Sequence, residues 1–377
     1  MPNKKWIKLL LLAIPIMILI IGIANYLIDP YGIYNPKYFN FIKTQQVGKS
    51  RLIKAVNIKK IKPVSIILGT SRAEGGFDPR HKYFPQPSYN LGVAGSSMYE
   101  SKLYFENALK QKRLKKVLLV ADFIMFNAKH LKAVNEFDEY FKDTYNAYQL
   151  LFNFDTLKDS MLTVTYAQNT PFYINGYINP SHTNKHYSNI GHKELFDNIE
   201  KGFYKNIPDN YLYKDTKINA FNDFEKIVEL SYENGIELDI IFGPSHVKLW
   251  EVLDNRKGIK NWFKWKKDVV MSVNKVAKKY NKKQFKITDF SIYHSLTSER
   301  VPDDKSGRME YHWESSHYKN KLGSIVLDKL NKDSNKSNLY IDFGVELSLD
   351  NIDTHIKRQK INRDQYMKKT NKDVIFQ

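Results

Sequence analysis

Residues 9–23 (LLLLAIPIMILIIGI) carry no charge, and the apolar character continues through Tyr26, Leu27 and Ile28. With Trp6 and Ile7 the run reaches about 20 residues, enough at 1.5 Å per residue for a hydrocarbon core of ~30 Å. Lys4, Lys5 and Lys8 precede it, and Asp29 and Pro30 follow. The positive-inside rule therefore predicts a short cytoplasmic tail and an exported remainder, in the periplasm or at the cell surface. Two readings of the run stay open. A permanent anchor fits because the apolar stretch outlasts Gly22-Ile23-Ala24; a signal peptide cleaved at that small-x-small site is the alternative.

The 377 residues include 59 Lys+Arg against 40 Asp+Glu, a net +19. Such a charge suits nucleic acid, anionic lipid or an acidic wall polymer equally. Export removes nucleic acid from the expected partners and leaves the membrane and an envelope glycan. With 25 Tyr and 22 Phe the chain is too aromatic to be mostly disordered. It has no Cys, which excludes disulfides, thiolate metal sites and cysteine nucleophiles.

Beyond the apolar run, residues 45–60 read as a basic amphipathic helix broken by Pro63. Residues 64–68 (VSIIL) form a short continuous apolar run ending in Gly69, the pattern of a buried parallel strand. Further strands are expected at 89–91, 117–121, 237–242 and 285–290, with helices at 99–111, 219–234, 260–280 and 319–330. Alternating strands and helices imply right-handed βαβ units and a mostly parallel, five-stranded sheet covered on both faces. Residues 123–217 are too long for a simple connection and rich in Tyr, Phe and Asn, so they read as an inserted cap. The expected organisation is thus a tail and transmembrane helix over 1–30, a domain over 31–330, and a linker with a helical segment over 331–377.

Gly69-Thr70-Ser71-Arg72 follows the first strand directly, where open parallel sheets bind their ligands. Ser71 there is either a nucleophile, with its own N–H as an oxyanion donor, or a helix N-cap. Near the C-terminus, Glu314 precedes His317 by three positions. The carboxylate can bind one ring nitrogen and leave the other facing a nucleophile. Arg72 is placed to bind an anionic group or to pair with Glu74 or Asp78. His246, after the fourth strand, either touches substrate or caps a turn. His182, His186 and His192 superficially suggest a metal, but Pro, Asn and Gly around them oppose an aligning helix, so no metal and no cofactor is expected.

A serine after the first strand and an acid–His pair before the last helix resemble the SGNH/GDSL hydrolase superfamily over roughly 64–330. The resemblance implies a flavodoxin-like three-layer α/β/α sandwich and a Ser71–His317–Glu314 triad, with Glu314 where the family usually has Asp. It also implies an oxyanion glycine within Asn90-Leu91-Gly92-Val93-Ala94-Gly95, either Gly92 or Gly95. The family's Gly-x-Asn-Asp block is missing after the third strand, where Asn127 is the candidate stand-in. The layout is similar to membrane-tethered proteins of envelope polysaccharide acyl modification, which implies a serine esterase or O-acyltransferase with a membrane-embedded acyl donor protein as a partner. A non-catalytic glycan-binding or assembly protein on the same scaffold is the alternative.

Residues 256–286 hold twelve Lys+Arg and one acid, Asp268. Trp262, Val269, Val270, Val273, Val276 and Tyr280 recur there at helical spacing, predicting a sheet-covering helix with a basic outer face for anionic lipid or polymer. The topology is testable by fusion: a reporter placed after residue 40 is expected outside the cytoplasm, and one placed before Lys8 inside. Cytoplasmic signal from both would remove any envelope role.

Overall fold

The apolar runs become strands buried on both faces, and part of the charge of the C-terminal third is folded into ion pairs. The computed structural model describes residues 4–39, 41, 43, 45–126, 133, 137–142, 145–165, 173–178, 190–202, 210–331 and 340–369. Five parallel strands, β1 (Ser65–Leu68), β2 (Ser88–Asn90), β3 (Lys116–Val120), β6 (Glu237–Phe242) and β7 (Lys286–Asp289), lie in the order β2-β1-β3-β6-β7. A sixth, β8 (Val345–Glu346), joins β7 antiparallel, pairing Asp289 with Val345. The five-strand expectation is corrected to six. A two-residue strand has no periodicity to read, and β8 is set by its partner through pairings such as the Leu347 N–H on the Ile287 carbonyl at 2.8 Å. Strands β4 (Tyr173–Ile174) and β5 (Tyr177–Ile178) form a separate hairpin.

Side chains alternate across the sheet and build two cores. On one face, Ile66, Leu68, Val117, Leu119 and Ile240 pack under α2 (Ser50–Ile61), α4 (Met98–Lys110), α7 (Ala220–Glu233) and α9 (Ile259–Lys279). On the other, Ile67, Leu118, Val120 and Ile241 pack under α3 (Ser71–Gly76) and α10 (Asn320–Leu330). The result is an α/β fold of three layers with the carboxyl ends of the parallel strands at one edge.

Helix α1 (Lys4–Ile28) is 25 residues long and apolar enough to cross a membrane or to serve as a signal sequence. Its last turns are not bare. Ile21, Gly22 and Asn25 are buried against the insertion, whose described parts include a 3₁₀ turn (Ala147–Phe152) and α5 (Phe154–Thr165). The Asn25 amide donates to the Leu151 carbonyl at 2.8 Å and accepts from the Ser160 hydroxyl at 2.9 Å. One part of the insertion therefore grips α1. Another part, β4–β5 and α6 (His192–Gly202), reaches the site edge, where the Asn90 N–H donates to the Asn175 carbonyl at 2.8 Å.

The apolar stripe of α9 is buried through Trp262, Val269, Val270, Val273 and Val276, while Tyr280 ends the helix. Its lysines are paired more than the composition implies. Lys275 meets Glu225 at 3.0 Å, Lys279 meets Glu229 at 2.6 Å, and Lys267 meets Asp353 at 2.8 Å. Asp353 opens α11 (Ile352–Lys369), so the C-terminal segment packs on the domain. Beneath this helix pair lies a buried cluster in which Asp289 accepts from Lys266 at 2.7 Å and sits 2.8 Å from His355 Nε2.

Burial disfavours both charges and lowers the Lys266 pKa, yet the adjacent Lys266 and His355 hold the Asp289 carboxyl down to about 2. A depressed carboxylate stabilises the fold above its unfolded pKa of about 4, and this contribution fades as pH falls from there toward 2. Asp289→Asn is expected to cost ~3–5 kcal/mol at neutral pH, because it leaves a buried lysine without its counter-charge. Thermal unfolding of the purified chain across pH 2–7 checks both statements: the variant should melt lower at pH 7 and lose less on acidification.

Candidate active site

Strand β1 delivers the chain to Gly69, where φ is +147° and a Cβ would stand 2.8 Å from Ala73 Cβ and 3.0 Å from the Val120 carbonyl oxygen. Only glycine fits this turn into α3. Thr70, in extended conformation, is the N-cap: its hydroxyl oxygen accepts from the Arg72 N–H at 3.3 Å and the hydroxyl donates to Asp122. The capping role left open for Ser71 thus belongs to its neighbour. Ser71, in the first helical turn and half-buried, keeps its hydroxyl for another partner.

That partner is His317. Ser71 Oγ lies 2.7 Å from His317 Nε2, and His317 Nδ1 is hydrogen-bonded to Glu314 Oε1. Glu314 is fully buried and also accepts the backbone N–H groups of Ser316 and His317. Burial would push this carboxyl up, but His317 and those N–H groups hold it below its ordinary value, so it stays ionised. The network assigns the imidazole proton to Nδ1, leaving the Nε2 lone pair toward Ser71.

The loop that carries the pair is clamped on three sides. Within it, His312 bridges Tyr318, and the Trp313 N–H donates to the His317 carbonyl at 2.9 Å. From the end of β6, the Ser245 hydroxyl donates to the Ser316 carbonyl at 2.9 Å and the His246 N–H to that of Ser315 at 3.0 Å. From α6, His192 sets its Nδ1 2.8 Å from the Trp313 carbonyl oxygen, and its Nε2 accepts the Met309 N–H at 3.2 Å. Burial lowers the His192 pKa, favouring the neutral ring that this donor–acceptor pattern requires.

Arg72 ties these parts together. Its buried guanidinium meets Asp122 at 2.8 Å and donates through Nε to Ser316 Oγ at 3.0 Å. The side chain is thus turned inward, away from any anionic substrate. Glu74 and Asp78, its expected partners, are engaged elsewhere, with Lys54 at 2.9 Å and Arg80 at 2.6 Å. His246 is likewise structural. It is buried, caps α8 (Val247–Asn255) by accepting the Lys248 N–H at 3.2 Å, and places Nε2 2.8 Å from the Glu299 carbonyl oxygen. Its burial beside His312 holds its pKa well below the ordinary value. Both ring nitrogens are committed, which leaves the turn-capping reading.

The two glycines part ways. Gly92 donates its N–H to Asn90 Oδ1 at 2.8 Å, and a Cβ on it would meet the Glu74 nitrogen at 2.6 Å. It is a close-packing glycine whose N–H is already used, so the expected oxyanion donor is not open there. Gly95, at φ +63°, is exposed in open space. Among the described residues its N–H and that of Ser71 have no partner. Asn127, His182 and His186 lie outside the described residues. Among those described, no cluster of three or more His, Asp or Glu is arranged to hold a metal.

Asp122, Ser316 and Ser245 are the site residues that sequence reasoning missed, and His192, weighed there only as a metal ligand, instead holds the loop of Glu314 and His317. Asp122 carried a usable signal, being the first polar residue after the apolar β3 run, at the same strand end as Ser71. No family model matches this chain, and no curated protein matches it.

Asp122→Asn keeps the side-chain volume but removes the charge beside a buried guanidinium, with an expected cost of ~3–5 kcal/mol. Ser316→Ala removes one hydrogen bond from the same group, with an expected cost of ~1 kcal/mol. Denaturant unfolding of the two variants beside wild type measures the difference.

Proposed function

We propose that the protein is a membrane-anchored, extracytoplasmic serine esterase or O-acyltransferase of the SGNH type, acting on acyl esters of a cell-envelope glycan. The observation that carries the reading is the continuous hydrogen-bonded chain from Ser71 through His317 to buried Glu314. In the first step Ser71 Oγ attacks the acyl carbonyl and its proton passes to His317 Nε2. Glu314 keeps the ring oriented and offsets the imidazolium charge. The tetrahedral oxyanion lies over the open Ser71 N–H, with Gly95 as the second candidate donor. Collapse breaks the ester C–O bond, and His317 returns the proton to the leaving alcohol. The acyl group on Ser71 is then taken by water in hydrolysis or by a sugar hydroxyl in transfer, His317 again accepting the proton.

The order β2-β1-β3-β6-β7 of the parallel strands supports the flavodoxin-like reading, since it is the doubly wound 2-1-3-4-5 arrangement. The burial of Ile21, Gly22 and Asn25 supports a retained anchor, since cleavage after Ala24 would strip the first two from their contacts. The aromatic insertion, which sends β4–β5 and α6 to the site edge, supports a bulky substrate such as a glycan. A non-catalytic binding role on the same scaffold is favoured by one observation, the occupied N–H of Gly92. It gives no use to the Ser71–His317 contact.

Ser71→Ala and His317→Ala are each expected to lower ester hydrolysis, or acylation of envelope polysaccharide in cells, by roughly 10³-fold or more. The double variant should be no worse than either, because nucleophile and base act as one unit. Glu314→Gln should fall between these and wild type. Measured on p-nitrophenyl acetate and on polysaccharide acyl content, full activity in Ser71→Ala would reject the assignment in favour of the binding role.

A further inference from the structure

A cavity of about 470 Å³ lies at the foot of α1, lined by residues of α1, α2, the chain between them and the insertion. Its wall is aromatic. Tyr26 and Tyr34 pack with ring centroids 5.9 Å apart, and Tyr34 stacks on Tyr148 at 5.8 Å. The Tyr34 hydroxyl donates to the Ala147 carbonyl at 2.6 Å, which fixes the stack. Lys59 and Lys60, from the last turn of α2, supply the charge, and among the described residues no carboxylate lines the cavity. Lys60 reaches the Ile33 carbonyl at 3.4 Å, while Lys59 makes no hydrogen bond or ion pair among the described residues.

The position says what such a cavity meets. Phe152 lies against Gly22 inside the apolar run of α1, and Tyr26 is one helical turn further on. With α1 across a bilayer, that turn falls at the boundary between acyl chains and headgroups. Tyrosines belong at this depth, and lysines there attract anionic headgroups. The surface beside the cavity is apolar in the same sense: Tyr148, Phe152, Phe154 and Met161 are all more than half exposed. A soluble surface rarely shows so many large apolar side chains together.

We propose that this cavity binds a membrane phospholipid with an anionic headgroup, its phosphate between Lys59 and Lys60 and its chains running along the Tyr26 and Tyr148 rings. The proposal is independent of the catalytic reading but rests on α1 being a retained membrane anchor. That premise has its own test. The full chain should stay in membranes after alkaline carbonate washing, and release into the wash would overturn the anchor, and the lipid site with it.

For the site itself, the full chain in neutral detergent is titrated with dihexanoyl phosphatidylglycerol, dihexanoyl phosphatidylcholine and inorganic phosphate, followed calorimetrically. Saturable binding of the phosphatidylglycerol is expected, tighter than the zwitterionic lipid and at least tenfold tighter than phosphate. The Lys59→Gln/Lys60→Gln variant should lose tenfold or more for phosphatidylglycerol and little for phosphatidylcholine, whereas Tyr148→Ala should weaken both lipids. Both variants alter exposed or half-buried positions, so a thermal unfolding midpoint unchanged from wild type shows that they fold. Unchanged phosphatidylglycerol affinity in the lysine variant overturns the proposal. Phosphate binding as tight as the lipid makes this a free-anion site instead. Absence of saturable binding by wild type leaves the aromatic shelf to a protein neighbour.

Discussion

Arg72 enters the interior with its charge, and a guanidinium taken out of water costs several kcal/mol unless it is paired and hydrogen-bonded. Asp122 supplies the counter-charge from the end of β3, and Ser316 supplies an acceptor from the loop that holds Glu314 and His317. These partners come from places far apart in the chain. A single side chain, next to Ser71, thereby holds the first strand's turn, the third strand's end and the last loop in one register. The 2.7 Å contact between Ser71 and His317 depends on that register more than on either residue alone. Glu314 follows the same logic one layer deeper, buried with its oxygens on His317 and on two backbone N–H groups.

What the sequence shows of this arrangement depends on how local the cause is. Strands such as Val117 to Val120 are legible because burial on both faces demands an unbroken apolar run. Helix α9 is legible because one stripe must be apolar at helical period. Ser71, Glu314 and His317 can be singled out because position at strand ends and spacing within one loop are one-dimensional facts. The choice of Thr70 over Ser71 as the helix cap is not, since both residue types cap and only backbone angles separate them. Nor are the inward turn of Arg72 or the use of the Gly92 N–H by Asn90, which are decided by neighbours brought in by the sheet. The same holds for β8, two residues whose strand character comes entirely from β7.

Charge is the property that the linear sequence most misrepresents. A net +11 over 256–286 reads as an open basic face. In the fold, Glu225, Glu229 and Asp353 come from helices before and after it and pair with Lys275, Lys279 and Lys267. A smaller charge lies elsewhere, in Lys59 and Lys60, two lysines that line a cavity with aromatic rings and, among the described residues, no acid. Two charges facing one cavity constrain a partner more than eleven dispersed along a helix, because exposed charges more than about 10 Å apart are largely screened from one another at ordinary salt.

Helix α2 spans the distance between the two functional ends. Its first turn sits beside the exit of β2, where Arg51 meets Glu100 at 2.9 Å and the Ala94 carbonyl at 3.1 Å; its last turn carries Lys59 and Lys60 at the foot of α1. Twelve residues at 1.5 Å each separate these ends by roughly 17 Å. Strand β1 then runs back toward Gly69, so the carboxyl ends of the sheet, with Ser71, lie away from the last turn of α2. At the foot of α1 the insertion holds the last turns of that helix, with Phe152 packed against Gly22 and the Leu151 carbonyl accepting from the Asn25 amide.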